Sequence, residues 1–135
     1  MYFHYYNNNP NNREIGDCVF RALALFLDKS WEDIARLNME TYLETGVMLD
    51  GTKDDEIMVD KILSGTPGVR ELTKEEIYKG SYVPGFTIQK FIDNCDDRTY
   101  FVSASGHVTV VKNKQVWDTW DSSNYSPNRI FVKED

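Results

Sequence analysis

From Val19 to Leu27 the chain reads VFRALALFL, apolar at every position except Arg21, and Asp28-Lys29 closes the run. Alternating alanines and leucines, with no β-branched residue after Val19, predict a helix that starts at Asp17 and is buried nearly all round. Ser30-Trp31-Glu32-Asp33 is a capping signal. Trp31, Ile34, Ala35 and Asn38 trace one face of a second helix that ends near Gly46. Thr52-Lys53-Asp54-Asp55 repeats the capping pattern ahead of a third helix, apolar from Ile57 to Leu63 and stopped by Gly65. Thr87 opens a fourth, in which Ile88, Phe91, Ile92 and Cys95 recur at i, i+3, i+4 and i+7, so Cys95 falls on the buried stripe.

The period changes after Asp97. RTYFVSAS, HVTVVK, QVWDTW and RIFVK are short, β-branched and aromatic, and predict a small antiparallel sheet in the last third. Residues 1–15, with aromatics followed by five asparagines and a proline, suit an extended arm or loop. Residues 65–85 carry too many turn formers to assign, and no internal repeat is present. The expected architecture is α+β, helices first and then a meander packed against them.

At 135 residues, 41% hydrophobic and 13% aromatic, the chain has the size of one domain, spanning 1–135. A net charge of −7 argues against nucleic acid or an anionic membrane surface as the main partner and favours a neutral or basic ligand. With no run near 20 apolar residues and no signal-like N-terminus, a soluble, cytoplasmic protein is expected. Cys18 and Cys95 are then free thiols.

A thiol becomes a nucleophile at a helix N-terminus, where backbone N–H groups and the dipole stabilise the thiolate, with an imidazole beside it. Cys18 meets the first condition, although Val19 and Phe20 beside it equally suit a small core residue. Asp17 stands against it: as an N-cap it accepts backbone bonds, but its charge raises a neighbouring thiol's pKa. Of two histidines, His4 lies in the aromatic arm, where a packing or surface role is expected, and His107 opens a strand. A two-residue loop at Asn113-Lys114 pairs 112 with 115, 110 with 117 and 109 with 118. His107 then faces Trp120, with Asp118 its diagonal neighbour, about 7–8 Å away along the backbone. A three-residue loop brings Asp121 to that face instead. Either acid holds the imidazole's tautomer.

GDCVFRALAL followed far downstream by SGHVTVVKNKQVWDTWD resembles the papain-like cysteine peptidase superfamily, most closely its small bacterial and phage-encoded members, which include the peptidase domains of bacteriocin exporters. The resemblance implies a papain-like fold and the order Cys18, His107, Asp118 for nucleophile, base and orienting acid. Where that superfamily uses a glutamine before the cysteine to bind the oxyanion, this chain has Asn12. GDCVFRAL is also similar to the nucleophile region of ovarian-tumour deubiquitinases, but those place the acid three residues before the cysteine, where this chain has Ile15. The expected function is a cysteine-dependent hydrolase of peptides or amides, with no cofactor. The alternative is a catalytically silent scaffold that binds a host protein or small molecule. A zinc site ranks third, because the cysteines and histidines lack paired ligand spacing.

Overall fold

The computed structural model describes residues 2–14, 17–47, 54–80 and 84–134, with the side chain of Asp54 outside the description. Helices α1 (Cys18–Leu27), α2 (Trp31–Thr45) and α3 (Asp54–Ser64) are followed by α4 (Lys74–Tyr78) and α5 (Ile88–Asn94). Strands β1 (Phe3–Tyr5), β2 (Val69–Glu71), β3 (Tyr100–Ala104), β4 (His107–Lys112), β5 (Gln115–Asp118) and β6 (Pro127–Lys133) form one sheet in the order β1-β5-β4-β3-β6-β2. The class is α+β, with helices packed against a mixed six-stranded sheet. Among the described residues no helix is long and apolar enough to cross a membrane.

The first two helices follow the sequence pattern closely. α1 ends where Asp28 turns left-handed at φ 61° and its N–H returns to Ala24 and Leu25. α2 starts in a reciprocal Ser30–Asp33 capping box and stops at Gly46, φ 78°. The capping signal expected at Thr52 lies outside the described residues. α5 is shorter than its stripe: Cys95 is its C-cap residue, still buried, with Sγ donating to the Ile92 carbonyl at 3.5 Å.

The sheet corrects the expectation of a small antiparallel one. The arm contributes β1, which runs parallel to β5 with His4 opposite Trp117, and the unassigned segment contributes β2 against β6, as well as α4. Both faces are covered, which is why β3, β4 and β6 read as nearly continuous apolar runs. Phe101, Val110 and Phe131 pack with Leu23, Phe26, Ile34 and Met58 of α1–α3. The alternate residues Tyr100, Val102, Val111, Ile130 and Val132 pack with Ile77, Ile88, Phe91 and Ile92 of α4 and α5.

Candidate active site

The β4–β5 hairpin has the two-residue loop expected. Asn113 and Lys114 both take positive φ, 51° and 61°, which gives the twist that suits such a turn. Lys112 pairs with Gln115 and Val110 with Trp117, so Asp118 comes alongside Thr109. Its Oδ2 accepts from His107 Nε2 at 2.8 Å, and both side chains are buried. Trp120 covers the imidazole at 4.6 Å between ring centroids. Asp121, the alternative acid, instead accepts the Ser123 N–H at 2.9 Å and closes a turn.

α1 brings Cys18 to the other side of the imidazole. Burial resists ionisation of the thiol, but hydrogen bonds from His107 and the Val108 N–H, with the charges of His107 and Arg21, outweigh it and hold the thiol below its ordinary value. Burial likewise opposes charge on His107, yet the hydrogen bonds to Asp118 and Cys18 push it up to about 9. Asp118 is held down chiefly by His107 against its own burial. The three side chains thus stand in line as thiol, imidazole and carboxylate, with the shifts favouring the charged form of each. Cys95 is the contrast: burial pushes its thiol up to about 11.

Asp17 is the N-cap residue of α1, as expected, but its carboxylate does not accept the backbone bonds expected of it. Its carboxylate is taken by other partners. Oδ1 pairs with the Arg21 guanidinium, and Oδ2 accepts from Asn9 Nδ2 at 2.6 Å and Trp31 Nε1 at 3.0 Å. Arg21, 6% exposed, also reaches Asp118 Oδ1 at 3.5 Å. The sequence carried a signal for Arg21, the one charged residue in an otherwise apolar helix, since a buried cation needs a partner. Nothing local marked Asn9 or Trp31 as those partners' neighbours.

Asn12 is not brought to the thiol. It is exposed, in the left-handed region at φ 56°, with its N–H bonded to the Asn9 carbonyl in a tight turn. His4 has the packing role expected, stacked on Trp117 at 4.0 Å.

A groove of about 290 Å³ opens beside Cys18 and His107, walled by Val19, Val59, Phe101 and Phe131, with Glu56 and Arg129 also facing it. Arg129 is engaged by Glu71, Asp60 and Glu56 at 2.7, 2.8 and 3.2 Å. Among the described residues no three His, Cys, Asp or Glu side chains group as metal ligands. Compared with protein-family models, with curated proteins and with solved structures, the chain matches none of them.

Proposed function

We propose that this chain is a cysteine-dependent hydrolase of peptide or amide bonds, built on a papain-like arrangement. The observation that carries the reading is the Asp118–His107–Cys18 relay, with a thiol held below its ordinary value at the head of a buried helix and beside an open groove. Chain order supports the papain-like part: the cysteine-bearing helix comes first, then histidine and acid on successive strands of the sheet against which that helix packs.

The chemistry follows from the charges. The Cys18 thiolate attacks the carbonyl carbon, forming a C–S bond and moving the carbonyl electron pair onto oxygen. The Cys18 backbone N–H, at the first position of α1, has no partner within the helix and is suited to receive that oxyanion. As the C–N bond breaks, the His107 imidazolium gives its proton to the leaving amine. Neutral His107 then takes a proton from water, whose oxygen attacks the thioester, releasing the acid and restoring the thiolate–imidazolium pair. Asp118 keeps Nε2 occupied throughout, so the other ring nitrogen faces the reaction. The substrate class is a peptide or other amide-bearing molecule, a host protein included.

A peptidyl vinyl sulfone tests this directly, because it alkylates an activated thiol. Mass spectrometry is expected to find it on Cys18 and not Cys95, with labelling abolished in Cys18→Ala and strongly slowed in His107→Ala. Equal, slow labelling of the two cysteines overturns the reading and leaves the silent binding scaffold.

A further inference from the structure

A buried arginine beside a thiol site is not explained by packing, and Arg21 lies between two acids that matter to that site. It sits three residues after Cys18 on α1, nearly one turn along the same helix. One side of its guanidinium meets Asp17, the residue next to the nucleophile; the other meets Asp118, the acid behind the imidazole. The two oxygens of Asp118 are thereby divided. Oδ2 serves His107, while Oδ1 receives the Thr119 N–H at 2.7 Å and faces Arg21. The N-terminal arm holds the cation's surroundings in place: Asn8 Nδ2 donates to the Arg21 carbonyl at 3.2 Å and Asn9 Nδ2 to Asp17.

We propose that Arg21 is a positioning residue of the thiol site, which pairs with the second oxygen of Asp118 alongside the Thr119 N–H and cancels the charge of Asp17 beside Cys18. This rests on the hydrolase reading. Without the guanidinium, two uncompensated carboxylates, Asp118 buried and Asp17 half-buried, flank the thiol–imidazole pair. Asp17 then opposes thiolate formation, and Asp118 loses the cation that balances it, with only the Thr119 N–H left on Oδ1. His107, Asp118, Asp17 and Tyr6 face the thiol and guanidinium. Asp55, Glu56 and Arg129 line the groove beyond. All of these but Asp17 and Asp118 stay unchanged in the variants below.

The test is the pH profile of Cys18 alkylation by iodoacetamide. Arg21→Met is expected to move the profile to higher pH by about one unit, which is about tenfold slower labelling at any pH below the midpoint. Arg21→Lys keeps the charge and recovers most of that loss. Asp17→Asn moves the profile the other way, and Asp17→Asn/Arg21→Met returns near the original. In an Asp118→Asn background the Arg21→Met effect shrinks, because the two residues act together. Unmoved profiles in Arg21→Met and Asp17→Asn, with only the melting temperature lowered, make Arg21 a structural ion-pair partner and overturn the proposal. If Arg21→Met does not fold by circular dichroism, Asp17→Asn and Arg21→Lys decide: an unmoved Asp17→Asn profile overturns it. Cys18 reacting as slowly as Cys95 in the unmodified chain overturns the hydrolase reading itself, a result separable from the failure of Arg21 alone.

Discussion

Replacing Asp118 by asparagine keeps the shape of the side chain and removes the charge that sustains the imidazolium. His107 stands at about 9 in place of 6.5, although burial alone pushes it down. At pH 7 a value of 9 means about a hundred protonated rings to each neutral one, whereas 6.5 means about one in four protonated. If the ring returns to its ordinary value, loss of the ion pair is therefore about fourfold. Burial, which opposes the charge, deepens that loss, and the remaining Cys18 contact limits it. The assay is the rate of Cys18 alkylation at pH 7, with His107 titrated in parallel by its ring proton resonances. Cys95 is the internal reference, since a thiol near 11 holds about one thiolate in ten thousand at that pH. Folding is monitored by urea denaturation, where the lost charge-assisted bonds should cost about 1–3 kcal/mol. An alkylation rate within twofold of the unmodified chain, with a folded protein and His107 still titrating near 9, would refute the relay.

Three further outcomes are expected. In Cys18→Ala His107 loses the thiol's share of its shift but keeps that of Asp118, and no lowered thiol titrates against it; the stabilisation from Asp118 is full below the unfolded value near 6.5 and is lost as pH rises through the folded value, so the urea midpoint should fall over that range. A midpoint that stays level or rises there contradicts the assigned shift. Lys114→Gly relieves a side chain at φ 61° in the hairpin loop and should stabilise the fold by up to about 1 kcal/mol, read as a higher melting temperature with the Cys18 profile unchanged. Leu23→Ala opens a cavity at a fully buried position of α1 and should cost about 2–5 kcal/mol; a loss under 1 kcal/mol in urea titrations would show that the helix is not core.

What the sequence made legible divides by how local the cause is. The α2 capping box, the left-handed stop at Gly46 and the Asn113-Lys114 loop are each decided by neighbouring residues, and each matches its pattern. The loop in turn sets the register that brings Asp118, and not Asp121, to His107. β1 and β2 were not legible, because strands of three residues draw their stability from distant partners: Val116 donates to Tyr2 at 2.6 Å, and Val69–Glu71 pairs with the far C-terminal strand. α4 did carry a local signal, the Thr73–Glu76 capping box, set among turn formers that masked it. Asp17 shows the same limit at the site. A local rule made it a helix cap, but a guanidinium, an amide and an indole from three stretches of chain compete for its oxygens and win. Asn12 failed for a similar reason, since the arm turns at Asn9–Asn12 and leaves it in solvent.

The separation of Cys18 from the hairpin along the chain has a consequence for biosynthesis. The thiol is made early and its imidazole late, and until β4 and β5 dock on α1 nothing depresses the thiol's pKa except whatever helix has formed. A nascent or unfolded chain thus carries two cysteines of ordinary acidity. On the proposed hydrolase reading, reactivity switches on only when β4 and β5 dock on α1, so Cys18 labelling doubles as a clock for that docking step.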